Sequence, residues 1–73
     1  MIEIPPGTTV AHFRGTLLAA ADHAEVIQPE SLREPVELWL RALEEQARSW
    51  RNLLGRPVNH AWAAAQAILA ESG

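Results

Sequence analysis

The sequence contains no cysteine and no lysine. The absence of cysteine excludes disulfide bridges, thiolate metal sites and cysteine nucleophiles. Without lysine, six arginines stand against nine acidic residues, and the formal net charge is -3. This acidic balance argues against a protein whose main role is to coat nucleic acid or an anionic membrane.

A long apolar run is also missing. No stretch reaches the roughly 18 consecutive apolar residues that a membrane-spanning helix needs. The acidic start, Met1-Ile2-Glu3, is not that of a secretory leader. We therefore expect a soluble, cytoplasmic protein with no membrane partner.

Proline and glycine divide the chain into segments with helical periodicity. Its 73 residues, of which 48% are apolar, are enough for one small domain with a core. Apolar residues recur at helical spacing in three segments. We predict an all-α fold, a small three-helix bundle with an extended N-terminal arm. The predicted segments are the arm over 1–7, helix 1 over 9–27, helix 2 over 31–54 and helix 3 over 57–71.

The start and the continuity of helix 1 are open in the sequence. Either Thr8 or Thr9 can cap the helix, because a hydroxyl can accept from an orphan backbone N–H. Gly15 weakens the helix by about 1 kcal/mol relative to alanine and could divide it. A third possibility pairs Ile2–Ile4 with Val10–Phe13 as a β-hairpin.

The ends of helices 2 and 3 carry recognisable signals. Ser31 and Glu34 have the spacing of a capping box. Pro35, however, disfavours helical geometry at Glu34, so helix 2 begins at either Ser31 or Pro35. We expect Gly55 to end helix 2 as a C-terminal cap and Pro57 to open helix 3.

No group of residues has the spacing of a catalytic or metal site. On one helix His12 and His23 would lie roughly 16 Å apart, too far to share a metal ion. Three of the six hydroxyls occupy capping positions, glycines occur singly, and the paired Glu44 and Glu45 are expected at outward positions of helix 2. We therefore expect no enzymatic activity, no bound metal and no cofactor.

Opposite charges recur along helix 2. Glu37 and Arg41, and likewise Glu44 and Arg48, are spaced i, i+4, while Arg41 and Glu45 have the reverse order. Each pair of this kind stabilises an exposed helix by about 0.2–0.5 kcal/mol. The pattern predicts a solvated helix face.

The basic end of helix 2 supports an alternative function. With the turn over 53–57, helices 2 and 3 are similar in outline to a helix-turn-helix motif. A recognition helix, however, directs Arg, Lys, Asn or Gln towards the bases, and helix 3 offers few of these. A DNA-binding regulator is therefore the alternative hypothesis, and we do not expect nucleic acid to be the main partner. Its phosphate contacts would be Arg48, Arg51, Arg56 and His60.

Three tryptophans and several leucines exceed what a small core can cover. A tryptophan hides about 150–250 Å² when buried, whereas a domain of 60–70 residues buries only about 60% of its chain surface. We therefore predict a non-catalytic helical interaction module that presents apolar surface to another protein or to a second copy of itself. The predicted contact residues are Leu38, Trp39, Trp50, Arg51 and Trp62.

Composition also suggests an origin. The chain contains thirteen alanines, and all of its strongly basic residues are arginines. This bias indicates a GC-rich bacterial genome. A short chain of this kind, starting at its own methionine, is typical of phage and mobile-element proteins that inhibit or redirect a host protein. Our hypothesis is therefore that the partner is a host protein.

Overall fold

Three α-helices make up most of the chain that the structure describes. The structure is a computed structural model that describes residues 4–73, and this part of the chain contains no β-strand. The predicted all-α fold class is confirmed. The helices are α1 (Val10–Asp22), α2 (Arg33–Ala47) and α3 (Asn59–Ser72), and two 3-10 turns, Ala24–Val26 and Glu30–Leu32, lie between α1 and α2.

The first described residues are joined to the start of α3. Residues 1–3 of the predicted N-terminal arm lie outside the described residues. The backbone N–H of Ile4 donates to the side-chain Oδ1 of Asn59 at 3.2 Å. The backbone N–H and the hydroxyl of Thr8 both donate to the carbonyl of Pro5, at 3.2 Å and 2.7 Å. These bonds form a turn that leads directly into α1.

Thr9, one of the two predicted caps, precedes α1. Its hydroxyl accepts from the backbone N–H of His12 at 3.0 Å, which satisfies one orphan donor of the first turn. The helix continues through Gly15 without interruption. The β-hairpin possibility is wrong, because Val10–Phe13 is helical.

The end of α1 differs from the prediction. The helix ends at Asp22, five residues before the predicted limit at Ile27, and the chain then forms the 3-10 turn Ala24–Val26. Ile27 has an extended backbone, with φ -72° and ψ 131°. The β-branched side chains of Val26 and Ile27 favour this departure from the α-helix, because branching at Cβ lowers helix propensity.

The start of α2 is also not the predicted one. The capping box of Ser31 and Glu34 does not form, because Glu30–Leu32 is a 3-10 turn and α2 begins at Arg33 without a side-chain cap. Pro35 consequently lies within the first turn of α2. Its missing N–H does no harm there, since the first-turn donors have no intrahelical acceptor.

α2 ends seven residues before the predicted limit at Leu54. After Ala47 the chain closes a short turn, in which the N–H of Trp50 donates to the carbonyl of Ala47 at 3.1 Å. The ring of Trp50 then stacks against Phe13 of α1, with the centroids 6.3 Å apart. The aromatic contact that holds this segment is thus made with α1 and not along the axis of α2.

The connection to α3 is a turn and not a helix cap. The side-chain Oδ1 of Asn52 accepts from the N–H of Leu54 at 3.0 Å, an arrangement typical of asparagine in turns. Gly55 follows with a positive φ of 72°. It therefore serves this turn, and its predicted role as the cap of helix 2 is wrong. α3 begins at Asn59, two residues after the predicted start at Pro57.

α1 is the central helix of the structure. It packs against both α2 and α3, whereas α2 and α3 make little contact with each other. Two consequences follow: the core forms around α1, and α2 keeps a face that no other helix covers. The buried core residues of the three helices are Phe13, Leu17, Ala20 and Ala21 of α1, Leu40 and Ala47 of α2, and Ala61, Trp62, Ala65 and Ile68 of α3.

Substitution by alanine should change the stability in opposite directions at Gly15 and at Gly55. At Gly15 a Cβ would meet nothing within 4 Å, and the backbone is helical. We expect Gly15→Ala to raise the free energy of unfolding by about 1 kcal/mol. Gly55→Ala should lower it by about 1–2 kcal/mol, because a Cβ strains the left-handed backbone. Urea unfolding followed by circular dichroism measures both, and a loss of stability in Gly15→Ala would contradict the continuous α1.

Candidate protein-interaction surface

One face of α2 points away from the core. The buried residues of this helix are Leu40, Glu44 and Ala47. At about 100° per residue, Leu38 and Ala42 each lie about 160° from Leu40 around the helix. We call Pro35, Leu38, Trp39 and Ala42 the outer face of α2, and all four residues are exposed.

Large apolar side chains are exposed on and beside this face. Leu38 is 57% exposed and Trp39 is 44% exposed. Leu32, the last residue of the 3-10 turn before α2, is also exposed. On the inner side of Trp39, Val36 and Leu43 are half-buried and pack against the core. The apolar surface of α2 therefore runs without a break from the core edge to the outer face.

The other two tryptophans belong to the packed interior. Trp62 is 6% exposed and lies nearly parallel to Phe13, with the ring centroids 6.5 Å apart. It therefore lies in the core and not on the exposed surface of this structure, which does not support its assignment as a contact residue. Trp50 is half-buried, with Phe13 against its ring and the guanidinium of Arg56 4.3 Å from the ring centroid. Both of its neighbours come from the same chain.

A buried carboxylate connects α1 and α2. Glu44 is 1% exposed. Arg14 of α1 donates to its Oε2 through Nε and Nη2, each at 2.9 Å. Arg48 donates from Nε to Oε2 at 3.1 Å and from Nη2 to Oε1 at 3.0 Å. The hydrogen bonds from Arg48, and to a lesser degree those from Arg14, lower the pKa of Glu44, although burial acts in the opposite direction.

This buried role of Glu44 was not expected from the sequence. The expectation that Glu44 and Glu45 both lie outward is wrong for Glu44, whereas Glu45 is exposed. The signal was present in the spacing, because Glu44 is four residues after Leu40 and three before Ala47, on the buried stripe. The usual expectation that carboxylates are exposed to solvent outweighed this spacing.

Charges on the flank of α2 that faces α1 are paired. Arg41 donates to Glu37 at 3.0 Å, as the spacing predicted. It also donates to Asp22 of α1 at 3.1 Å, and not to Glu45. At the edge of the outer face, by contrast, neither Glu34 nor Glu45 forms a salt bridge with any described residue.

The basic residues of the alternative hypothesis do not form one free patch. Arg48 is engaged with Glu44, and Arg56 covers Trp50 and donates to the carbonyl of Asn52 at 3.3 Å. Arg51 and His60 are exposed.

The segment between α2 and α3 is also not the helix-turn-helix turn that the alternative hypothesis predicted. A helix-turn-helix joins two packed helices by about 3–4 residues. Here eleven residues, 48–58, separate α2 from α3, and the two helices make little contact.

Two open grooves lie elsewhere on the molecule. One, of about 440 Å³, is lined by Val26, Ile27 and the side of α3 that includes Ile68. The other, of about 490 Å³, lies between residues 4–8 and residues 52–59. Ligand pockets of roughly 300–1,000 Å³ combine apolar walls with a few converging polar groups. Among the described residues no buried side-chain polar atom lacks a hydrogen-bond partner, so neither groove is lined by a buried, unpaired polar group.

The pH dependence of stability should report the Glu44 cluster. Because the folded-state pKa of Glu44 lies below the ordinary value of about 4.3, its contribution is fully present above that pH. It is lost as pH falls through the folded-state pKa. We expect Glu44→Gln to lower the free energy of unfolding at pH 7, and the deficit relative to the natural chain to shrink towards pH 3.

Urea unfolding at pH 7 and pH 3 checks this expectation. Glu45→Gln is the matched control, because Glu45 is exposed without a salt bridge in the described chain, and its change should stay within about 0.5 kcal/mol. An equal deficit for Glu44→Gln at both pH values would show that the charge of Glu44 does not stabilise the fold.

Comparison with known proteins gives no further assignment. The chain matches no protein-family model, no curated protein and no solved structure. Within residues 4–73, no helix combines the length and the apolar character needed to cross a membrane. The same residues contain no group of three or more side chains that could hold a metal ion. The outer face of α2 is therefore the feature on which a functional assignment rests.

Proposed function

We propose that this protein is a non-catalytic helical interaction module that binds another protein chain through the outer face of α2. The observation that carries the proposal is the joint exposure of Leu38, on the side of α2 opposite the core, and of Trp39 next to it. Tryptophan is among the residues that contribute most to binding at protein interfaces. A neighbouring leucine adds apolar area worth about 25 cal/mol per Å² removed from water.

The scaffold suits this role because α2 is held rigidly. Leu40 and Ala47 are completely buried, and Glu44 is held by guanidinium groups from its own helix and from α1. A partner would meet a preformed helix surface, so little backbone ordering would oppose binding.

Hydroxyl groups support the non-catalytic part of the proposal. A serine or threonine nucleophile needs a base within hydrogen-bond reach. Five of the six serine and threonine hydroxyls instead make local backbone contacts: those of Thr8, Thr16, Ser49 and Ser72 donate to backbone carbonyls, and that of Thr9 caps α1.

The proposal extends to the kind of partner that the composition suggests. Under it, the chain acts in the cytoplasm of a GC-rich bacterium as a phage- or mobile-element-encoded binder of a host protein, or as a homo-oligomer. The support is the alanine and arginine bias of the sequence.

A capture experiment with matched variants tests the outer face. The tagged protein, Leu38→Glu and Leu54→Glu are each used as bait in nuclease-treated lysate of the source organism. Leu54 is 84% exposed but lies in the turn before α3, so it is the control for adding a charge at an exposed leucine. We expect the natural chain and Leu54→Glu to retain the same protein, and Leu38→Glu to lose at least about 90% of it, equivalent to about 1.4 kcal/mol.

Circular dichroism of all three baits establishes that each is folded. Equal recovery by Leu38→Glu and the natural chain would contradict the assignment of the outer face. A parallel capture from untreated lysate serves as comparison, and recovery that occurs there but disappears after nuclease treatment would instead favour the DNA-binding regulator. Trp39→Ala provides a second test of the same face and should weaken capture while α2 remains helical.

A further inference from the structure

An exposed leucine at one end of the molecule and an apolar groove at the other end have complementary surroundings. Leu54 lies in the turn over 52–56, and its side chain is 84% exposed. The groove of about 440 Å³ beside α3, which we call the α3 groove, is lined mainly by apolar side chains. We propose that the α3 groove binds the turn over 52–56 of a second copy, with Leu54 inserted, so that copies associate head to tail. This contact does not involve the outer face of α2 and goes beyond the proposed function.

The two sites lie at opposite ends because α1 and α3 run in the same direction. At one end, the N–H of Ile4 donates to Asn59 at the start of α3. The turn over 52–56 is at this end, since it forms a groove with residues 4–8. At the other end, the segment that follows α1 lines the α3 groove together with the later turns of α3. The 14 residues of α3 span about 20 Å, so Leu54 cannot fill the α3 groove of its own chain.

The walls of the α3 groove suit an apolar side chain. Ala67 is exposed in the groove, and Val26, Ile27 and Ala64 are half-buried beside it. Removing these surfaces and the side chain of Leu54 from water together favours association. The volume of the groove lies within the roughly 300–1,000 Å³ of ligand pockets, so there is room for a leucine with the backbone around it.

The chain around Leu54 is basic. Residues 48–58 include three arginines and no acidic residue. Two of these arginines, Arg51 and Arg56, are exposed and form no salt bridge with a described residue. The Nε of Arg56 donates to the carbonyl of Asn52 at 3.3 Å, so this guanidinium is held at the turn.

The surroundings of the α3 groove are acidic. Glu71 lines the groove, is exposed and forms no salt bridge with a described residue. Residues 22–30, which supply the opposite wall, include three acidic residues and no arginine, and two of the three pair with Arg33 and Arg41. The groove therefore attracts a basic turn and repels an acidic one, and this complementarity orients an approaching copy.

The contact is small, and each copy carries both halves of it. One inserted turn buries less than the roughly 1,200 Å² at the lower limit of standard interfaces, so we expect submillimolar affinity. Because the two halves lie at opposite ends, a copy can contact one neighbour at each end. Such a heterologous contact continues beyond the dimer.

Sedimentation equilibrium of the full chain tests the association. At low ionic strength, between about 10 µM and about 2 mM, the weight-average mass should rise from 8.0 kDa and pass twice that value without a plateau. Three variants that each add one negative charge are compared. Leu54→Glu and Ala67→Glu should weaken association at least about tenfold, because each places a carboxylate in the apolar contact. Leu38→Glu, on the outer face of α2, should follow the natural chain.

Mixing the two disabled variants tests the insertion of Leu54 directly. Leu54→Glu retains the α3 groove and Ala67→Glu retains the leucine, so the mixture can form a contact that neither variant forms alone. We expect the mass of an equimolar mixture to rise towards twice 8.0 kDa and to stop there, because the remaining turn and groove of each pair are both disabled. Circular dichroism establishes that each variant is folded.

Charge reversal at the groove tests the choice of a basic occupant. Glu71→Arg should weaken association about tenfold at low ionic strength, and the effect should shrink in about 0.5 M salt, which screens exposed charges. Association that is insensitive to Glu71→Arg would contradict the charge complementarity on which the inference rests.

Other outcomes would also overturn the inference. A mass of the natural chain that stays at 8.0 kDa, or that reaches a plateau at twice this value, would exclude head-to-tail association. Insensitivity to Leu54→Glu or Ala67→Glu, or a mixture that remains monomeric, would exclude the insertion of the leucine. Loss of association in Leu38→Glu would place the contact on the outer face of α2. The capture experiment, which uses a different surface, decides the proposed function separately.

Discussion

The side chains of α1 hold the other two helices, because α2 and α3 make little contact with each other. Phe13 illustrates this role: it lies between Trp50, which follows α2, and Trp62 of α3, with ring centroids 6.3 Å and 6.5 Å away. A helix placed centrally leaves its neighbours covered on one side only. The exposed outer face of α2 is therefore a direct consequence of how the core is built.

The Glu44 cluster determines which side of α2 faces inward. A buried carboxylate is costly unless charged partners satisfy it, and Arg14 and Arg48 together occupy both of its oxygens. Because this arrangement needs Arg14 of α1, it favours one rotation and one height of α2 against α1. That rotation places Ala42 and Leu38 on the opposite, exposed side.

Charge is distributed unequally around α2. On the flank towards α1, Arg41 and Asp22 form a salt bridge at 3.1 Å. At the edge of the outer face, the carboxylates of Glu34 and Glu45 lack such partners in the described chain, and the exposed apolar side chains of that face lie beside them. An apolar strip with unsatisfied charges along its edge is the usual composition of a surface that pairs with another, since the strip supplies affinity and the charges supply orientation.

The sequence by itself determined the all-α fold class, limited the cap of α1 to Thr8 or Thr9 and placed Leu38 off the apolar stripe of helix 2, because these follow from local periodicity and local hydrogen bonding. Helix ends were less predictable: the segment after Ala47 leaves the helix where Trp50 stacks on α1, a contact that no local pattern contains. Only the tertiary structure decided that Trp62 is buried and that Glu44 faces the core. The physical reason is that burial depends on which distant side chains come to cover a residue, and here α1 supplies both the aromatic ring and the guanidinium group that do so.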